Sequence, residues 1–355
     1  MTITYQAGRR IQGTNQDRVG GTTDTIPSGG VGGWKELGRT TLGSSGDTIT
    51  VSSLADKRYL MILGFGLDTG GTIGMNQRLN GDTASNYSSR QSQNGGSDTT
   101  QTSTTQGRWA DTNASDHFGV CWLANKSDKE KLMYGIANQQ AGTATSQAPA
   151  AFETASKWAN TSNAVNSFTM QNFGTGSYDT NSEVVVLGYD PDDTHTDNFW
   201  EELSSVTTTS SGTISSGTIS AKKYLMYQII GKKASGTGTE AGRLRFNSDS
   251  GSNYSQRNSI NGTHYTYGNQ TSANIGGDGN TAGELVFLTG FILNNASTQK
   301  LFVGYSAYGN SAGNNIGNKG EIFDKWANTS DSITSIECMG TTFDAGAKMT
   351  IWGSD

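Results

Sequence analysis

The sequence predicts an all-β protein made of two tandem β-sandwich domains behind an extended N-terminal arm. Three observations point there. The 355 residues include 48 Gly but only 3 Pro, and just 16% are charged. Short apolar runs alternate with clusters of Gly, Ser, Thr and Asn, the punctuation of strands and turns. Aromatic residues make up 9% of the chain, too many for a disordered one. The third observation is that the chain repeats itself.

The repeat is clearest at Leu244-Arg245-Phe246-Asn247-Ser248-Asp249, continuing to Asn253-Tyr254-Ser255-Gln256-Arg257, which answers Arg78-Leu79-Asn80-Gly81-Asp82 and Asn86-Tyr87-Ser88-Ser89-Arg90. Asn, Asp, Ser and Gly between apolar residues read as a tight polar hairpin. Four further pairs follow in the same order. Trp34-Lys35-Glu36-Leu37 matches Trp200-Glu201-Glu202-Leu203, and Lys57-Arg58-Tyr59-Leu60-Met61 matches Lys222-Lys223-Tyr224-Leu225-Met226. Lys131-Leu132-Met133-Tyr134-Gly135 matches Lys300-Leu301-Phe302-Val303-Gly304, and Lys157-Trp158-Ala159-Asn160-Thr161-Ser162 recurs unchanged from Lys325. An offset of about 165 to 169 residues is the size of a domain, not of a solenoid repeat. The division that results is an arm over 1–33, a first sandwich over 34–189, a linker over 190–198 and a second sandwich over 199–355.

In chain order, the arm belongs to neither copy. Thr2 to Tyr5 alternates like a strand, Arg9, Arg10 and Arg18 make it basic, and Ser28 to Gly33 reads as a joint. Such an arm either anchors the protein to a neighbour, through Tyr5 and the arginines, or folds back as an edge strand. Within the first copy, Thr48 to Val51 alternates with period 2, and Tyr59 to Gly64 is a continuous apolar run expected of a strand covered on both sides. Asn94 to Thr105 and its counterpart Tyr265 to Thr281 read as exposed, divergent loops. Phe118 to Gly135, and Phe287 to Tyr305 after it, read as hairpins. Trp158 and Trp326 are expected to cap the cores beside a turn; a sugar-stacking platform is the sharper alternative. Glu183 to Gly188 and Ala347 to Gly353 close the copies. The acidic stretch from Tyr189 to Asn198 reads as the linker.

Chemistry is sparse. The histidines His117, His195 and His264 have no counterparts in the sister copy, and no Gly-x-Ser-x-Gly elbow occurs, so the chain is expected not to be an enzyme and to need no cofactor. Cys121 and Cys338 align with Gly290 and Met170 and read as small core residues. Asn247, Asp249 and Asn253, with Asn80, Asp82 and Asn86, are the weak calcium candidates; hairpin Asx turns account for the same residues, and no metal is expected. Asp190, Asp192, Asp193, His195 and Asp197 read as a solvated acidic linker. Net charge −6 disfavours direct nucleic-acid contact, and no apolar run reaches membrane-spanning length. The start Met1-Thr2-Ile3-Thr4-Tyr5 lacks a signal-peptide core, so synthesis in a cytoplasm is expected.

The Tyr-Leu run, the Phe-Asn-x-Asp-x-Gly-x-Asn-Tyr motif, the Trp before Ile333 and Ile336 and the Gly-ended last strand together resemble the jelly-roll or lectin-like domains of tailed-virus virion proteins. The second copy matches more fully, since the first has Leu79 for the Phe and Ala84 for the turn Gly. The resemblance implies a non-enzymatic structural protein on the virion surface, in a capsid decoration, head fibre or tail fibre, bound to other virion proteins and to itself through the arm. The rival expectation is an adhesin for host surface glycans, with Trp109, Tyr265, Tyr267 and Asn269 as its ligand-binding residues.

Overall fold

The computed structural model describes residues 33–191, 193, 195, 197–235, 242–275, 283–309 and 317–355. Tyr5, Arg9, Arg10 and Arg18 fall outside them, as does Asp192. The described residues form strands and turns only. The first half forms β1 (Lys35–Thr41), β2 (Thr48–Val51), β3 (Tyr59–Gly66), β4 (Ile73–Leu79), β5 (Tyr87–Gln93), β6 (Thr99–Thr104), β7 (Gly107–Asn113), β8 (His117–Ala124), β9 (Lys131–Gln139), β10 (Ala150–Trp158), β11 (Phe168–Gln171) and β12 (Glu183–Tyr189). The second forms β13 (Glu201–Thr207), β14 (Gly212–Ser215), β15 (Tyr224–Ser235), β16 (Arg243–Phe246), β17 (Tyr254–Ile260), β18 (Thr263–Gln270), β19 (Ala273–Asn274), β20 (Leu285–Leu293), β21 (Lys300–Tyr308), β22 (Asn318–Trp326), β23 (Ile336–Phe343) and β24 (Lys348–Ser354).

Each half is an antiparallel sandwich. In the first, a large sheet runs β1-β12-β3-β8-β9-β10-β5-β6 and a small one β2-β11-β4-β7. In the second, the large sheet runs β13-β24-β15-β20-β21-β22-β17-β18 and the small one β14-β23-β16-β19. Adding twelve to each strand number of the first half gives the order of the second. The halves differ where β15 runs on past the equivalent end of β3 and pairs with β23, through Lys233 and Phe343, joining the two sheets at that corner.

Two of the expected loops are strands. Thr99–Thr104 and Thr263–Gln270 pair with β5 and β17 as the last strands of the large sheets, because backbone pairing on an edge tolerates any polar side chain. The repeated motif is also not a hairpin. Its two arms do not pair with each other: β4 and β16 lie in the small sheets, β5 and β17 in the large ones. The polar turn is an arch that carries the chain across the sandwich. By contrast β8 with β9, and β20 with β21, pair throughout as hairpins.

Side-chain alternation explains why β3 is apolar throughout. Leu60 and Ile62 point into the first half's own core with Ile49, Trp109, Phe168 and Met170. Met61, Leu63 and Phe65 point the other way, into a separate core shared by both halves. From the first half this shared core takes Phe118, Val120, Ile136, Val185 and Leu187; from the second it takes Phe199, Tyr224, Phe291, Leu293, Leu301, Val303 and Phe323. The large sheets therefore pack face to face, and the molecule has four layers. Ser- and Thr-rich domains are expected to leave little apolar area for a flat interface; the structure corrects this, since the residues supplying it sit at alternate positions of strands that already read as core.

Candidate functional site

The arch is built identically in both halves. Asp249 Oδ1 accepts from the Gly251 amide at 2.8 Å, while Oδ2 accepts from Asn253 Nδ2 at 2.9 Å and from Trp326 Nε1 at 2.7 Å. Asp82 does the same with Ala84 at 2.8 Å, Asn86 at 2.8 Å and Trp158 at 2.7 Å. Tyr87 stacks on Trp158 and Tyr254 on Trp326, each at 17° between planes. The two phenol oxygens accept the Leu79 and Phe246 amides at 2.9 Å. Burial works against the charge on Asp249, but the hydrogen bonds from Asn253 and Trp326 outweigh it and hold the carboxyl below its ordinary value. Trp158 and Trp326 are buried, so they cap the cores and offer no face to a sugar.

The structure does not gather the calcium candidates. Asn247 turns away from Asp249: its Oδ1 accepts from the amides of Thr334 and Ser335, and its Nδ2 donates to Ser332 O. Asp249 and Asn253 bond each other. Among the described residues no three His, Cys, Asp or Glu side chains come close enough to hold a metal ion. The linker acids pair with cations of the first half, Asp193 with Lys57, Asp190 with Arg58 at 3.7 Å and Asp197 with Lys35 at 2.8 Å. His195 sits against Gly33, and His117 is buried against Ser115 O and Asp111 O. Burial pushes the His117 imidazole down to about 4. Both cysteines are buried and unbridged.

Trp109 is not a ligand-binding residue. It is fully buried, lying over three glycines of the large sheet: a Cβ at Gly64, Gly119 or Gly135 would come within 2.9, 2.8 and 2.9 Å of its indole. In the second half the strand register puts Ile275 in its place, with Ile229 and Leu288 where Gly64 and Gly119 stand. One large ring over glycines has been exchanged for several medium side chains. The adhesin reading needs Trp109 at a surface; its partner glycines on β3, β8 and β9 hold it in the core instead.

Tyr265 and Tyr267 do reach solvent, at 37% and 44% exposure. They sit two apart on β18, so they share a face, and their rings are parallel within 5° at 6.5 Å between centroids. Asn269 does not join them. Its amide donates to Thr145 O at 2.8 Å and its Oδ1 accepts from Thr145 Oγ1 at 2.5 Å, so it ties the second half to the first.

That tie is one of a row along the segment linking β9 and β10. Lys325 Nζ donates to Gln140 O at 2.9 Å and Gly142 O at 2.7 Å. Gln299 Nε2 donates to Thr143 O, Ser255 Oγ to Gln147 O and Arg257 Nε to Pro149 O. Across the shared core Tyr134 and Tyr305 hydroxyls meet at 2.7 Å, Tyr134 donates to Glu153 at 3.0 Å, and Asn138 Nδ2 donates to Phe302 O and Asp324 O.

A further surface has no precedent in the sequence reading. Trp34, Tyr59, Trp122, Leu132 and Tyr134 line an open apolar groove of about 360 Å³ on the first half's large sheet, at the edge of the shared core, where Trp122 packs on Phe291 and Tyr134 bonds Tyr305. Leu132 is 59% exposed, Tyr59 and Tyr134 42% each. The signal was present as outward-facing positions of β3, β8 and β9, but a two-sided apolar strand does not reveal which end is left uncovered.

No family model and no curated protein matches the chain. Among solved structures it aligns with domains LG4-5 of the mouse laminin alpha1 chain at TM-score 0.20 and 9% identity, over 93% of this chain and 92% of that one. It aligns with Ail, the attachment invasion locus protein of Yersinia pestis, at TM-score 0.14 and 6% identity, over 77% and 99%. Neisserial surface protein A gives TM-score 0.13 and 7% identity, over 80% and 97%. Scores this low carry no argument.

Proposed function

We propose that this chain is a non-enzymatic structural protein of a tailed-virus particle, displayed on the virion surface as a decoration or fibre component and held there by its N-terminal arm. The observation that supports it most is the shared core: two sandwiches packed sheet against sheet make one four-layer block, a shape suited to standing on a surface as a spacer. Conspicuous polar side chains, among them Asp82, Asp249, Asn247, Asn269, Lys325 and His117, brace this scaffold. Deleting Met1 to Gly33 is expected to leave the block folded and to abolish co-sedimentation with particles. Particles lacking the protein are expected to lose density on the capsid or tail in electron microscopy. Unchanged density, or full incorporation of the truncated chain, overturns the proposal.

One observation favours a second role. Two exposed, parallel tyrosine rings on an edge strand offer an apolar ladder of the sort that sugar rings stack against. If the surface reads host glycans, glycan-array binding falls to background in Tyr265→Ala with Tyr267→Ala; silence of the unaltered protein across the array removes this reading.

A further inference from the structure

One open surface of the first half repeats a surface that is occupied in the second. In the second half Ser255, Lys325 and Leu301 stand side by side across β17, β22 and β21, with Arg257 two residues along from Ser255. The segment from Gln140 to Pro149 lies on them. Lys325 donates to the carbonyls of Gln140 and Gly142, Ser255 to that of Gln147 and Arg257 to that of Pro149. Strand register puts Ser88, Lys157 and Leu132 in the same row of the first half, with Arg90 two residues along. The donors that grip a chain segment in one half therefore recur, residue for residue, in the other.

In the first half these residues line an open groove of about 380 Å³, walled on its far side by Thr100, Gln101 and Thr102 of β6. Leu132 is exposed there, whereas Leu301 is buried. Arg90 and Lys157 pair with surface neighbours, Asp98 at 3.0 Å and Glu130 at 3.2 Å. Exposed pairs of this kind are weak, so both cations can turn to the carbonyls of a guest.

Two positions differ, and they narrow the guest. Glu130 stands where Gln299 donates to Thr143 O, so an acceptor has replaced a donor. Thr102 stands where Gly268 lets the Ser146 backbone pass so close that a Cβ would lie 2.4 Å from its oxygen. A second copy's 140–149 segment would meet both changes, and each copy already holds its own.

We infer that this groove takes a segment of a different protein chain, one that presents backbone carbonyls to Ser88, Arg90 and Lys157 and carries a basic side chain opposite Glu130. The inference rests on the two matching surfaces and does not depend on the virion reading.

The test uses the full chain and two synthetic peptides with the sequence from Gln140 to Pro149, one unaltered and one carrying Thr143→Lys. Fluorescence anisotropy is expected to show saturable binding of the basic peptide, about tenfold tighter than the unaltered one, and Glu130→Gln is expected to remove the difference. Ser88→Ala with Arg90→Ala is expected to weaken both peptides about tenfold while circular dichroism stays unchanged. Equal affinity for the two peptides, no binding of either, or full binding by the double variant overturns the inference. Photo-crosslinking of the bound basic peptide, followed by peptide mapping, is expected to mark β5 and β6. Marks on β17 or β22 mean that the peptide has displaced the chain's own segment, which also overturns it. So does self-association of the unaltered chain that the peptides abolish, since the guest is then a second copy.

Discussion

Asp324 on β22 is fully buried, and neither carboxylate oxygen reaches hydrogen-bond geometry. Burial pushes its pKa well up, eased slightly by the backbone of Arg257. The first half has Ser156 at this place, bonded to Ser89 Oγ and Arg108 O. A carboxyl whose folded pKa lies above its unfolded value keeps its proton longer in the fold, so stability falls as pH rises from about 4 towards the folded pKa. Asp324→Asn should therefore be more stable than the unaltered protein at pH 7, with the difference shrinking towards pH 4 in denaturant titrations. A constant difference across that range argues against the assignment. The Trp–Asp clamp gives a paired test. Trp158→Phe and Trp326→Phe each keep the stacked ring but remove one donor from a carboxylate, at a cost of about 1 to 2 kcal/mol. Because the two geometries coincide, the costs should agree; a marked difference in chemical denaturation means the clamps are not equivalent. The residues of this clamp were legible as a repeat, since each is short-range or conspicuous. Its wiring was not: Trp326 reaches Asp249 across the sandwich, and nothing local announces that bond.

Among the elements, apolar runs identified β3, β8, β12, β15, β20 and β24 because burial on one or both faces leaves a pattern. Edge strands β6 and β18 escaped, since Thr, Gln, Tyr and Asn on a sheet's rim look the same as a loop. The arch looked like a hairpin because its turn chemistry is that of a hairpin; which sheet each arm joins is decided by partners far along the chain, β11 and β10 in the first half. Packing between β7 and the centre of the large sheet yields a prediction at this scale. Gly119→Ala places a methyl against the Trp109 indole and should cost about 1 to 3 kcal/mol, against about 0.4 to 1 kcal/mol gained from a stiffer unfolded chain. In a Trp109→Ile background, which imitates Ile275 of the second half, the same substitution should be nearly neutral. Additive costs, measured by a double-mutant cycle, mean the two sites do not share one space.

At the level of the whole molecule, the repeat in sequence was readable and docking was not. Lys157 and Lys325 open the same six-residue sequence, yet Lys157 pairs with Glu130 at the surface while Lys325 is buried, holding two carbonyls of the other half. Burial brings the Lys325 ammonium down to about 8. Identical sequence thus has two roles, set by where the halves meet. The second half has its own core around Leu225, Phe246, Ile322 and Ile351, so residues 199–355 alone should melt cooperatively. Alone, however, they expose Tyr224, Phe291, Leu301, Val303 and Phe323, and light scattering should show self-association. A strictly monomeric fragment means the shared core is weakly driven; an unfolded one means the cores are inseparable.

The carbonyls of Gln140, Gly142, Thr143, Thr145, Gln147 and Pro149 all accept from donors in the second half. On a ribosome those donors do not yet exist when this segment emerges. At about 5 to 20 residues per second, the second half needs on the order of 8 to 31 s to follow. For that interval the nascent first half carries a bare apolar sheet and a segment without partners. The molecule is thus most vulnerable during its own synthesis, and a slowly translated message should lose more of it to aggregation than a fast one.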